Sequence, residues 1–284
     1  MKKRDLLGRK VCNAIFYSMS LLITLAICMI LFSLLYTIIK NGSNALSCNF
    51  LIKPTSPFKD SGISNAILGT SAITFGATVI GVPAGIFTGI YLIEYDSQSY
   101  FSKVVRISAE ALMGVPSIVV GLFVYSLVVV PTGHFSGFAA SVALAIIMYP
   151  VVIKVTSDML QMVPNATREA AIALSIPKWR MIFQIIFRMA KSGLLTGVIL
   201  AIARVSGETA PLLLTSLFSD AYPTGYFSEP TASLTVAINE NATNSPFEYM
   251  LEKAWGAALV ITIAILILNI SCQLINKFTA QVKK

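Results

Sequence analysis

The sequence predicts an all-α integral membrane protein with six transmembrane helices and both termini in the cytoplasm. Three observations predict it. Hydrophobic residues fill 56% of 284 positions and charged residues only 12%, about half of the roughly 25% that soluble domains carry, and mean hydropathy is +0.77. Six stretches, near 15–39, 66–93, 109–131, 136–156, 192–218 and 254–275, each supply the about 20 mostly apolar residues that cross a hydrocarbon core. Lysine and arginine are divided unevenly among the connections, which orients the spans. The same composition excludes a disordered chain. Four cysteines without paired spacing and the single His134 argue against a disulfide scaffold and a zinc centre. The net charge of +8 leaves a nucleic-acid partner open until the basic residues are placed.

The first span, Ile15 to Ile39, follows Lys2, Lys3, Arg4, Arg9 and Lys10, as a signal peptide would. Its apolar run is about twice a signal core and lacks a small-residue cleavage site. Leu25-Ala26-Ile27-Cys28 is a poor lipoprotein cleavage box, with bulky Ile27 before the cysteine, so the span is read as uncleaved. The second span carries Gly81, Gly85 and Gly89 around Pro83, a spacing that lets helix backbones approach closely. In the third, Pro116 marks a kink and Gly121 a close contact. The N-terminus, 94–108, 154–191 and the tail with Lys277, Lys283 and Lys284 hold sixteen basic residues. Lys40, Lys53, Lys59 and Lys253 make four on the other side, and Arg204 lies within a span. The excess charge is therefore a topology signal, not a nucleic-acid patch. Between Ser219 and Glu252, the acids Asp220, Glu229, Glu240, Glu248 and Glu252 read as a solvated face without cation-loop spacing. The whole chain, 1–284, is one transmembrane domain.

Two places carry chemistry. In the cytoplasmic loop 157–191, Pro164 and Pro177 bracket Asn165-Ala166-Thr167-Arg168-Glu169-Ala170-Ala171-Ile172-Ala173-Leu174-Ser175. Asn165 or Thr167 can cap a helix there, with Glu169 in the first turn and Pro177 ending it. Such a helix, with an apolar face of Ala170, Ala173 and Leu174, is marginal alone. It docks either into a partner's groove or onto the membrane surface beside Lys178, Trp179 and Arg180. The second place is Ala203-Arg204-Val205-Ser206-Gly207-Glu208-Thr209-Ala210-Pro211. A charge near mid-span costs about 2.5–3.5 kcal/mol. Arg204 and Glu208, four apart, share a helix face, where they either pair or face a common polar cavity. Pairing would only fix packing, and buried pairs add little net stability; guanidinium also suits oxyanion recognition. Gly207 and Pro211 can break the helix and free backbone amides. The chain has no Gly-rich phosphate loop and no legible nucleophile–base pair, so it is read as non-catalytic.

Glu169-Ala170-Ala171 followed by Ser175 resembles the "EAA" coupling loop of bacterial ABC-importer permeases. The run from Ala203-Arg204 through Gly207-Glu208-Thr209-Ala210-Pro211-Leu212 is similar to that of the PstA-type phosphate permeases, as are Gly81-Val82-Pro83-Ala84-Gly85, Tyr91-Leu92-Ile93-Glu94-Tyr95 and Gly114-Val115-Pro116-Ser117. The resemblance covers about 60–280 and departs at Ser175, where the family usually has glycine. It implies the type I importer permease fold. It implies pairing with a PstC-type permease, a PstB-type ATPase dimer below and a PstS-type phosphate-binding protein outside. Glu169, Ala170, Ala171 and Ser175 would then dock on the ATPase, and Arg204, Glu208 and Thr209 would line the substrate pathway. ATP and magnesium would belong to the partner, with no cofactor on this chain, in the cytoplasmic membrane.

Other readings remain at this level. Sulfate, molybdate or phosphonate permeases share the loop. A self-sufficient secondary transporter or channel is compatible with six spans and an Arg/Glu pair. In a purely structural or receptor subunit, the pair would only pin helices.

Overall fold

The computed structural model describes residues 2–56, 58–95, 99–244 and 247–281; Lys283 and Lys284 of the tail lie outside them. All regular structure among the described residues is helical: α1 (Lys2–Gly42), α2 (Cys48–Ile52), α3 (Ser64–Tyr95), α4 (Tyr100–Gly114), α5 (Ser117–Thr132), α6 (Gly137–Gln161), α7 (Asn165–Ala173), α8 (Lys178–Ser206), α9 (Ala210–Thr215), α10 (Leu234–Thr243) and α11 (Glu248–Gln281). Serine caps four of them. Ser47, Ser99, Ser136 and Ser233 are extended and accept hydrogen bonds from the third residue beyond, satisfying amides that the first turn leaves free.

Five helices, α1, α3, α6, α8 and α11, are long and apolar enough to span a membrane. The α4–α5 pair makes a sixth only if counted as one bent segment. Along α1 the apolar side chains point outward, Phe32 at 78% exposure, an arrangement that requires hydrocarbon or protein around it.

The centre is the α3–α6 pair. A Cβ added to Gly85 would lie 2.7 Å from the Val152 Cβ, and one on Gly89 2.6 Å from the Thr156 Cβ. Gly81 is less crowded, with the Ala145 carbonyl 3.2 Å from its added Cβ. At Gly85 and Gly89 the helices approach so closely that a larger residue would force them apart. Ile73, Ala77, Leu144, Met148 and Val152 fill this seam, and Val198, Val205 and Leu212 close it from α8 and α9.

Two expected spans are built differently. The stretch 109–131 is not one helix: α4 ends at Gly114, Val115 is extended and α5 leaves at 106°. Pro116 forces this, because the residue before proline is pushed out of the helical region. The stretch 192–218 is also broken. Its helix starts earlier, at Lys178, and stops at Ser206; α9 follows after Gly207, Glu208 and Thr209. Pro211 lacks an amide, and a continuous helix would press its ring against the Gly207 carbonyl.

Candidate functional site

The two breaks converge. Gly121 of α5 sits so close to α9 that an added Cβ would lie 2.6 Å from the Pro211 Cα. Beside this contact is a cavity of about 140 Å³, walled by Val115 and Ser117 at the first break and by Arg204 and Glu208 at the second. Ile147 and Val151 of α6 complete one side. Irregular backbone at membrane depth is tolerated where it is enclosed by protein or lines a polar space, and both breaks meet that condition here.

Arg204 lies in the last turn of α8, not mid-helix, because the helix ends two residues later. Its carbonyl accepts the Gly207 amide at 3.2 Å, and the Val205 carbonyl accepts the Glu208 amide at 3.1 Å. Glu208 is therefore outside the helix, and the shared helical face expected of positions 204 and 208 does not exist. Among the described residues the salt bridges are Lys154–Asp158 and Arg168–Glu94; Arg204 and Glu208 are not within ion-pair distance. They share the cavity instead. Arg204 is exposed and Glu208 half-buried. The Glu208 carbonyl accepts the Thr235 hydroxyl at 3.0 Å, tying the break to α10. Thr209 precedes α9 and makes no side-chain cap; it is not part of the cavity wall.

The helix α7 forms a separate group. Pro164 occupies its N-cap and no side chain caps it, so neither Asn165 nor Thr167 takes that role. Asn165 Oδ1 instead accepts from Arg168 Nη1 at 3.3 Å. Glu169 falls in the second turn. The helix ends at Ala173, before Pro177, which opens α8 rather than closing α7. Ala171 is buried against Leu160, Val163 and Ile182. Glu169, Ala170, Ile172, Ala173 and Leu174 face outward, Leu174 at 75% exposure. Ser175 turns the chain with φ 54°, a left-handed conformation that glycine adopts without steric cost.

Two polar groups escaped the sequence reading. Glu94, 8% exposed, binds Arg168 with an Nη2–Oε1 distance of 2.7 Å. The signal for it is an acid closing an apolar run on an otherwise basic side. Lys253, counted only as an outer cation, is 7% exposed. Its Nζ donates to the Phe58 carbonyl at 2.6 Å and to Ser61 Oγ at 2.5 Å.

Residues 81–281 match the family described as "Binding-protein-dependent transport system inner membrane component". The chain is 43% identical over 263 residues to the phosphate transport system permease protein PstA of Pasteurella multocida, covering 92% of this chain and 93% of that one. It is 45% identical to the PstA protein of Yersinia pestis over 244 residues, covering 85% and 82%. In fold it resembles a chain of the MetNI methionine ABC transporter, with TM-score 0.60 and 14% identity over 75% of this chain and 92% of that one. An importer-permease backbone, a short outward-facing helix between two long ones and more than four-tenths identity to PstA proteins agree: the chain belongs to the PstA phosphate transport permease family of binding-protein-dependent inner membrane components.

Proposed function

We propose that the chain is the permease subunit of an ATP-driven importer that carries inorganic phosphate across the bacterial cytoplasmic membrane by alternating access. The observation that carries this reading is the meeting of Arg204, Glu208 and two helix breaks on one cavity. The Arg204 guanidinium offers planar, paired donors to an oxyanion. Ser117 begins α5, so the positive end of that helix adjoins the same space. Glu208 places an opposing charge in the cavity and tunes or gates the anion's passage; Thr209 supplies a neighbouring hydroxyl.

The helix α7 faces the cytoplasm, as do both termini, and docks through Glu169, Ala170 and the turn at Ser175 on a PstB-type ATPase, while Ala171 anchors it from within. A PstC-type permease completes the membrane core and a PstS-type protein delivers phosphate from outside. ATP and its magnesium stay on the ATPase; this chain binds no cofactor of its own and catalyses no reaction.

Labelled-phosphate uptake tests the site. Arg204→Gln abolishes uptake while the chain still inserts and assembles; normal uptake by that variant would remove Arg204 from the pathway. For the coupling surface, Glu169→Lys lowers transport-linked ATP hydrolysis, and an unchanged rate would remove Glu169 from the interface.

A further inference from the structure

Glu94 and Arg168 are 74 residues apart in sequence and join three helices at one point. The Arg168 Nη2 reaches Glu94 Oε1 at 2.7 Å, and Nε lies 3.2 and 3.3 Å from the two carboxylate oxygens. The same guanidinium donates to the carbonyls of Leu160 at 2.8 Å and Val163 at 2.6 Å. Leu160 is near the end of α6, Glu94 near the end of α3, and Arg168 in the middle of α7. The Glu94 side chain is 3% exposed and that of Arg168 17%, so water scarcely competes for these bonds.

Glu94 lies in an unusual stretch of backbone. Residues Tyr91–Tyr95 form a π-helical turn at the end of α3, a rare wide turn that is frequent at functional sites. The next residue, Tyr95, carries Lys178 Nζ 4.7 Å above its ring. One turn of α3 therefore holds α7 through Glu94 and the start of α8 through Tyr95. On α6 the chain of contacts continues inward: this helix is locked to α3 along Gly81, Gly85 and Gly89, and its Ile147 and Val151 wall the cavity that contains Arg204.

We infer that Glu94 and Arg168 are a positioning clamp that makes α7 move as one body with α3 and α6, so that displacement imposed on the outer face of α7 reaches the cavity wall. The inference rests on the reading of α7 as the surface that engages the ATPase. Arg168 touches neither substrate nor nucleotide; it acts through the helices it joins. Packing of Ala171 alone leaves a short helix free to pivot, because one small side chain fixes position but not rotation. Arg168 bonds Glu94 on α3, the Leu160 carbonyl on α6 and the Val163 carbonyl in the link between α6 and α7, and these separate anchors fix both.

The complete importer, reconstituted in proteoliposomes with its second permease, ATPase pair and binding protein, tests the clamp. Glu94→Gln keeps the shape and removes the charge; Arg168→Lys keeps the charge and removes the planar fork. In both, phosphate moved per ATP hydrolysed falls about threefold or more, while the amount of assembled complex stays near that of the unaltered protein. A pair serving stability alone would lower the amount of complex or its melting temperature and leave the ratio unchanged; that result overturns the clamp. If Glu94→Gln does not assemble, Arg168→Lys decides, and failure of both to assemble assigns the pair to folding and likewise overturns it. An unaltered importer that moves no phosphate would overturn the underlying functional reading instead.

Discussion

Gly121 and Pro211 are in direct backbone contact, with 2.6 Å between an added Cβ at 121 and the Pro211 Cα, and this contact sets two broken helices against each other beside the Arg204 cavity. Gly121→Ala must push α5 from α9. The expected cost is about 1–3 kcal/mol, read as a lower thermal midpoint of the purified complex, together with reduced phosphate uptake. An unchanged midpoint would mean that the two segments separate freely.

Lys253 holds the segment before α3 against α11. Removing its ammonium in Lys253→Met leaves the Phe58 carbonyl and the Ser61 hydroxyl without their donor, and loses the cation lying 5.0 Å over the Tyr249 ring. The Ser61 hydroxyl keeps its own bond to the Ser56 carbonyl, so the loss falls mainly on the Phe58 carbonyl, and an unpaired group of that kind costs about 1–3 kcal/mol. Thermal unfolding of the complex measures the loss; a variant as stable as the original would show that water replaces the amine.

Much of this fold is legible because apolar runs of span length have few alternatives. Pro116, Gly207 and Pro211 also mark the breaks in advance, since each acts through its own backbone. The start of α8 is not legible. Arg180, Arg188 and Lys191 lie on exposed helical surface, and hydropathy ends a span where charge begins even when the helix continues. The Glu94–Arg168 bond joins distant segments, and nothing local in either announces the other. For Arg204 and Glu208 the residues were visible but their relation was not, because a spacing of four implies a shared face only while the helix persists.

Tyr226 gives a pH dependence. Desolvation raises its phenol above the usual value, against the downward pull of the hydrogen bond to Ser141. The unfolded phenol ionises near its usual pKa of about 10, whereas the folded one still holds its proton there. Stability is thus fully present below that pH and is lost as pH rises through the folded pKa. Tyr226→Phe removes this alkaline component and lowers stability at neutral pH by about 0.5–1.5 kcal/mol through the missing hydrogen bond. Melting temperatures of both proteins across the alkaline range check the sign; parallel curves would refute it.

Arg204 and Glu208 are opposite charges on one cavity that do not pair, and groups coupled through a shared cavity do not act independently. In a double-mutant cycle of Arg204→Gln and Glu208→Gln, the stability effects are expected to depart from additivity by about 0.5–3 kcal/mol, and the transport effects likewise do not add, since both groups face the same anion. Stability effects that add within about 0.5 kcal/mol would show that the two charges do not act on one another across the cavity.

Ser175 offers the sharpest test of the turn beside α7. Its φ of 54° places Cβ near the following carbonyl, which costs about 1–2 kcal/mol for a residue with a side chain. Glycine removes that cost but gains freedom in the unfolded chain, so Ser175→Gly should alter stability little. A β-branched residue has no such compensation. Ser175→Val should drive the turn out of the left-handed region, shift Ile176 and Pro177, and so rotate the outward face formed by Glu169, Ile172 and Leu174. The expected outcome is near-normal phosphate uptake for Ser175→Gly and strongly reduced transport-linked ATP hydrolysis for Ser175→Val, measured at equal amounts of complex. Equal activity of the two variants would show that the turn bends without consequence and that the surface presented by α7 does not depend on it.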